Sequence, residues 1–540
     1  MEILRADVLV IGSGLAALSA AIESLAHGAS VIVVDKGRVG GSGSSPSSVG
    51  NPQAFLAPDL GGDPGDSRVE YFADIVRGGR FLNNLEMVSI LAEEAQEAVI
   101  EGDRWGIPFC KTPDGKYERY ITSGMSYPRV GPVRGNGRAV VEALCQHALR
   151  LGARLLENIM ITKLAWDGGR VIGAIGVEAP SGDTFSFQAR CTVLAGGSAL
   201  ALYPYSSAAD STTGDAYALA WELNLPFANM EFVEFTLIPA PGGTPFPSGG
   251  IKPAIGKGAV FHNRLGERFM ARYDPDRLEL TNRTTLVQAV HNELKAGNGP
   301  CCLDVSSLKE PTMPFEKMEK ELGIDWRREK IPWEPAVHSF LGGVIIDRQC
   351  AAGIPGLYAA GETAGHGLMF GADRVCGAVA ACLVLGRRAG RNAALEAFRT
   401  KMPSLTWSEV RQEEQRWQSI SCLSGDAPGR IRRELQQVCW NYFGITRSAG
   451  DLSRGLDAVE QIERKGMRVD CTKDLVEAIE SKNLILASRL VAHAARIRTE
   501  SRGLHQRADY PLTNDQSWLK WVVLRKEGNG IAVTYIKPPA

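Results

Sequence analysis

The stretch Ala6-Asp7-Val8-Leu9-Val10-Ile11-Gly12-Ser13-Gly14-Leu15-Ala16-Ala17 decides how this chain folds. The run before Gly12 is apolar except for Asp7 and suits a buried parallel strand; Gly12-Ser13-Gly14 breaks it ahead of a helical stretch from Leu15 to Ala26. A second strand, Ala29 to Val34, ends at Asp35, which completes a strand–turn–helix–strand unit of roughly 30 residues. Gly12 permits the tight turn, Gly14 lets a pyrophosphate approach the backbone at the helix N-terminus, and Ala17 is small enough for close helix–strand packing. Asp35 can accept hydrogen bonds from both ribose hydroxyls, and its charge disfavours a 2'-phosphate. The unit specifies a dinucleotide site, with Lys36 next to its acid.

Outward from this unit, a glycine- and serine-rich loop from Gly40 to Gly50 is too long and irregular for a simple connector, which makes Gly41 and Ser42 candidate cofactor contacts. Alternating patterns at Val171 to Val177 and Phe185 to Gln188 predict a small sheet packed on the main one. They precede a buried strand, Cys191 to Ala195, ended by Gly196-Gly197. Far downstream, Gly356-Leu357-Tyr358-Ala359-Ala360-Gly361-Glu362 resembles the second FAD-contacting motif of flavoproteins, in which the acid after the glycine reaches the ribityl chain. The ending Val193-Leu194-Ala195-Gly196-Gly197 resembles the strand end that approaches the same cofactor, so FAD is expected rather than NAD. Asp215 and Gly377 complete the expected cofactor contacts.

Composition narrows the function class. The chain has 540 residues, 44% hydrophobic and 22% charged, enough for a packed core and several structural units. Its 60 basic and 61 acidic residues leave a net charge of -1, which gives no footprint for nucleic acid or an anionic membrane. The longest apolar stretch, Val375 to Gly386, is short of the roughly 20 residues that cross a bilayer, so no transmembrane segment is expected. The opening Met1-Glu2-Ile3-Leu4-Arg5 runs straight into a strand without a signal-peptide pattern, and a cytoplasmic location is expected. Eleven scattered cysteines include no C-x-x-C, so no metal site is expected and the electron carrier is an organic cofactor or sits on another chain.

Five segments follow from pattern changes along the chain. Residues 1–226 and 338–395 form the two parts of an FAD-binding domain, interrupted by a Pro- and Gly-rich insertion with charged helices at 227–337, a capping domain. A helical domain occupies 396–500 and a short tail with strand character 501–540. The fold class is α/β: a discontinuous Rossmann-like FAD domain with an inserted α+β capping domain, then a helical domain and a tail.

Further motifs carry a resemblance. His338-Ser339-Phe340-Leu341-Gly342-Gly343 matches a H-x-x-x-G-G pattern, Gly371-Ala372-Asp373-Arg374 a G-A-N-R, Gly266-Glu267-Arg268-Phe269 a G-E-R-F, Thr281-Asn282-Arg283-Thr284 an S-R-D segment, and Glu500-Ser501-Arg502-Gly503-Leu504-His505 an E-S-R-G-x-H. In these the chain resembles, over essentially its whole length, the flavoprotein subunits of fumarate reductase and succinate dehydrogenase, with L-aspartate oxidase and adenylylsulfate reductase as relatives. The resemblance implies hydride transfer between flavin N5 and a carbon beside an activating carboxylate, with a proton delivered to the neighbouring carbon. By the same resemblance Arg374 clamps the substrate carboxylate, His338 donates a further hydrogen bond there, and Arg283 is the proton shuttle.

Departures from the family pattern lie in the substrate half. The long loop lacks the histidine that carries covalent FAD, so noncovalent FAD is expected. The histidine of F-H-P-T is Thr236, the T-E pair falls near Ile251-Lys252, the relay arginine is Ile255, and the acid after the shuttle arginine is Thr284. Thr236 and Lys252 therefore join His338 and Arg374 as expected substrate contacts, and the preferred small organic acid is expected to be larger than fumarate or succinate, or differently charged. Two rival enzyme readings are amino-acid oxidation, whose acid for the substrate amino group is missing near Thr122-Ser123-Gly124-Met125, and adenylylsulfate reduction, suggested by Lys252 and Lys257 in the loop from Pro239 to Gly258. A non-catalytic electron-transfer or scaffold subunit is the third, opposed by the intact Arg374 and His338. A separate electron-transfer protein or iron–sulfur subunit is an expected partner.

Overall fold

Strand β1, Ile3–Ile11, is the central strand, and the turn that ends it delivers the chain into helix α1, Leu15–Ala26, over the span its periodicity predicts. Gly12 lies at φ 105°, where a Cβ would meet the Ala195 carbonyl oxygen at 2.4 Å, so the turn admits only glycine. The computed structural model describes residues 3–47, 55–56, 60, 62–121, 124–240, 251–310, 313–375, 377–420 and 425–539.

The chain continues through β2 (Val31–Val34), β3 (Arg154–Leu156), β4 (Ile159–Trp166), β5 (Val171–Glu178) and β6 (Thr184–Leu194). One sheet holds them in the order β3-β2-β1-β6-β5-β4, parallel from β3 to β6 and antiparallel beyond. The expected small sheet packed on the main one is thus not separate. No turn residue interrupts Gln188-Ala189-Arg190-Cys191, so the two expected strands are one strand, β6, of 11 residues. It pairs with β1 along one edge while Thr184 to Gln188 take β5 on the other, which makes the β4–β5 hairpin an extension of the main sheet.

After β6 the chain leaves the sheet. Strands β7 (Phe227–Ala228) and β8 (Val233–Pro239) lead to helix α2 (Arg283–Lys295) and strand β9 (Trp333–Phe340); β9 pairs antiparallel with β8, and α2 lies against both. Through β10 (Gly343–Val344) the chain returns to β11 (Leu357–Ala359), which docks parallel on the free half of that second β6 edge. The insertion is therefore bracketed by strands of one sheet. Helix α3, Ala378–Arg399, then crosses the expected boundary at 395 and packs backbone-to-backbone on α1. Cβ atoms at Gly386 and Gly390 would meet the Ala16 and Ala20 carbonyl oxygens at 2.4 and 2.1 Å.

Helices α4 (Trp407–Ile420), α5 (Pro428–Phe443), α6 (Ala449–Arg464) and α7 (Thr472–Ile497) make the helical region. The end of the chain is a hairpin, β12 (Trp521–Glu527) and β13 (Gly530–Ile536), which completes a four-stranded sheet in the order β10-β7-β12-β13. Among the described residues no helix is long and apolar enough to cross a membrane.

Candidate active site

The cofactor half is assembled at the carboxyl ends of the parallel strands, where α/β sheets place ligands. One cavity there is lined by Gly12, Asp35, Lys36, Ser42, Gly196 and Asp215 together, six of the expected cofactor contacts. Asp35 takes the Ser13 hydroxyl at 2.7 Å on one oxygen, and the Ser42 hydroxyl at 2.5 Å and the Gly37 amide at 2.8 Å on the other. Lys36 Nζ reaches Asp215 at 2.8 Å and Glu480 at 2.6 Å, which ties the cavity to α7. Burial works against its charge, but the two carboxylates outweigh burial and raise its pKa.

Gly14 and Ala17 begin α1, whose first turn has no side-chain cap at Gly14; the Leu15 amide instead meets the Ser45 hydroxyl at 3.1 Å. The Gly41–Ser42 loop thus folds over the helix N-terminus, and the buried Ser44 hydroxyl beside it has no protein partner among the described residues. An uncharged helix start with an orphaned hydroxyl fits a diphosphate. The two distant glycine motifs lie side by side: Thr363 Oγ1 donates to the Gly197 carbonyl at 2.9 Å, next to Gly361. Glu362 turns instead toward β9 and accepts the Phe340 amide at 2.6 Å; burial raises its pKa. Gly377, at φ 106°, caps the start of α3. These residues fit FAD, and a test of how it is held follows from the loop. Gly40 to Gly50 has no His, Cys or Tyr, and the Cys145 thiol packed beside Gly40 is pushed by burial to about 11 and stays protonated. FAD is expected in the supernatant after acid precipitation; flavin fluorescence that stays with the protein on a denaturing gel would show a covalent link.

The substrate half brings Arg283, His338 and Arg374 to one point around a residue that sequence reasoning gave no role, Glu234. Its carboxylate is fully buried, with Arg283 Nη1 at 2.5 Å on one oxygen and Arg374 Nη2 hydrogen-bonded to the other. Burial alone would raise the Glu234 carboxyl; Arg283, Arg374 and His338 outweigh it and hold it at about 2. Arg374 is only 9% exposed, on a segment pinned by Ala372 N to the Gly79 carbonyl and by Leu504 N to the Ala372 carbonyl, both at 2.9 Å. The late motif around Gly503 thus seats the segment that carries Arg374. Arg283 is the first residue of α2, fixed by Asn282, whose side chain accepts the Thr285 amide at 2.9 Å.

His338 is the extra residue in a register shift: Glu234 faces Ser339 while Phe235 faces Val337. Such bulges re-aim side chains, and here the imidazole is held by Ser207 Oγ, 2.7 Å from its Nδ1. Phe235 packs on Tyr203 and Trp440, with ring centroids 5.2 and 6.1 Å apart. Half-buried Thr236 follows it on β8, two residues from Glu234. Lys252 opens a short helix, Lys252–Gly256, and its side chain lies outside the described residues; so do Thr122 and Ser123.

Thr284, in place of the family's acid, donates its hydroxyl to Asp373 Oδ2 at 3.0 Å. Where the resemblance would have an acid at 284 and an asparagine at 373, this chain has a threonine and an acid, hydrogen-bonded to each other. Burial, then the Glu234 charge, push the Asp373 carboxyl up to about 6. The signal for Glu234 was an acid inside the apolar run Phe232-Val233-Glu234-Phe235, since a buried carboxylate requires cations nearby.

Comparison with known proteins finds flavoprotein relatives over nearly the whole chain. The FAD binding domain family matches residues 7–379, and the fumarate reductase flavoprotein C-terminal family residues 432–538. One subunit of the fumarate reductase (CoM/CoB) from Methanothermobacter marburgensis is 33% identical, over 97% of this chain and 98% of its own. An L-aspartate oxidase from Pseudomonas aeruginosa is 31% identical, over 94% of this chain and 95% of its own. The FrdA chain of E. coli quinol fumarate reductase superposes with a TM-score of 0.90 at 25% identity, covering 100% of this chain and 99% of that one.

Proposed function

The chain belongs to the fumarate reductase and succinate dehydrogenase family of FAD-dependent oxidoreductases, and on that footing we propose that it reduces, or forms in reverse, a C=C bond next to a carboxylate in a small organic acid other than plain fumarate or succinate. The observation that carries this reading is the convergence of Arg283, Arg374 and His338 on one buried point. FAD supplies the hydride at N5. Arg374 holds the substrate carboxylate and stabilises the charge that develops on it during reduction. Because the charge this carboxylate stabilises builds on the carbon beside it, the hydride goes to the farther carbon of the double bond and Arg283 gives its proton to the nearer one, the reverse of the order first expected; His338, oriented by Ser207, adds a hydrogen bond to the substrate. Electrons reach the cofactor from a separate protein; the methanogen relative, which its name makes one subunit of its enzyme, supports a partner of this kind.

The test is anaerobic photoreduction of the enzyme followed by mixing with enoates, adenylylsulfate or dioxygen while the oxidised flavin band is watched. Fast return of the band is expected with an enoate. Return with adenylylsulfate alone, or with dioxygen alone alongside bleaching by L-aspartate, would replace the reading. Silence toward all of these, with rapid electron exchange to a partner protein, would make the chain an electron-transfer subunit.

A further inference from the structure

The guanidinium proposed to clamp the substrate, Arg374, and the one proposed to deliver the proton, Arg283, already share a carboxylate supplied by the protein. Glu234 engages Arg283 with one oxygen and Arg374 with the other, and it is fully buried. Its backbone faces Ser339 in the β8–β9 ladder, between Val233 and Phe235, both buried, so the carboxylate is built into the sheet. We propose that Glu234 determines specificity by charge: it offsets one of the two arginines, and the site accepts a monocarboxylate in preference to a dicarboxylate. The inference rests on the reading above of Arg374 as the substrate clamp.

The charges around the point support it from every side. Strand β8 brings Glu234, α2 brings Arg283, β9 brings His338, the Gly371–Arg374 segment brings Asp373 and Arg374, and the Gly361–His366 segment brings Glu362 and His366. Burial holds the His366 imidazole down at about 3, so it adds no charge. The two arginines against Glu234 leave one positive charge, which one substrate carboxylate neutralises, while Asp373 is set against Arg80. A second substrate carboxylate would find Arg283 and Arg374 already matched, and an uncompensated charge in a buried site is costly.

Binding without turnover provides the test. Holoenzyme, and a Glu234→Gln variant checked for FAD content, are titrated with pentanoate and glutarate, which differ by one terminal carboxylate, and the flavin spectrum reports binding. The wild type is expected to bind pentanoate at least about tenfold more tightly than glutarate, and Glu234→Gln is expected to shift that ratio toward glutarate by at least about tenfold. A wild type that binds glutarate as tightly as pentanoate overturns the proposal, as does an FAD-loaded variant with an unchanged ratio. If the variant does not hold FAD, the wild-type ratio decides alone. Because these acids are saturated, failure of every enoate to reoxidise the flavin would remove the proposed reaction and leave the ratio to report on Glu234.

Discussion

Arg374→Lys should lower turnover at least about a hundredfold while FAD stays bound, a loss of about 2.7 kcal/mol of transition-state stabilisation. The lysine keeps a positive charge close to Glu234 but cannot imitate the planar fork that serves Glu234 and the substrate at once. The new side chain also loses a packing contact: Arg374 is buried, with its guanidinium 5.9 Å from the Phe370 ring centroid, and an ammonium on a flexible stem does not lie along that face in the same way. The cofactor contacts at Gly12, Asp35 and Gly196 are on other elements, so the flavin spectrum serves as the control. A fall in kcat with FAD retained supports the clamp. A rise in KM with kcat unchanged would make Arg374 a binding residue with no preference for the transition state, and near-normal kinetics would put the substrate carboxylate elsewhere.

How much of this was legible in the sequence depended on whether the signal was local. The turn at Gly12 is set by sterics within a few residues and reads directly as strand, glycine turn and helix. Gly361 and Gly197 lie far apart in the chain, yet both follow strands that pair with each other, so two glycine-ended strand patterns were enough to bring them together. Strand β5 and the start of β6 were assigned to a sheet of their own because alternation marks a strand without naming its neighbour; the uninterrupted Gln188 to Cys191 segment held the missing information. Glu234 and Asp373 stood in motifs whose other members drew the attention. Their roles depend on charges from four elements distant in sequence, and a pattern along one strand does not contain that sum. The bulge that aims His338 is likewise a property of two strands, set when β8 and β9 pair.

The largest effect is expected at Arg283. Arg283→Ala should abolish product formation in the reductive direction and still let substrate perturb the flavin spectrum, because protonation and binding fall to different groups. The side chain leaves the first residue of a capped helix, is 18% exposed, and ends 2.5 Å from the Glu234 carboxylate, the point at which the proposed reaction needs its proton donor. Removing it takes one of the two cations from Glu234, so the carboxyl, now held at about 2, should rise as burial is opposed by less positive charge. Arg374 remains paired with Glu234 and keeps the clamp. Asn282 still caps α2 through the Thr285 amide, so the helix start should survive the substitution. Single-turnover reoxidation of photoreduced variant by the best enoate gives the measurement: substrate-induced spectral change with no return of the oxidised band is the expected result. Unchanged turnover would reduce Arg283 to a helix-end charge balancing Glu234, and loss of the spectral change would assign it to binding instead of proton delivery.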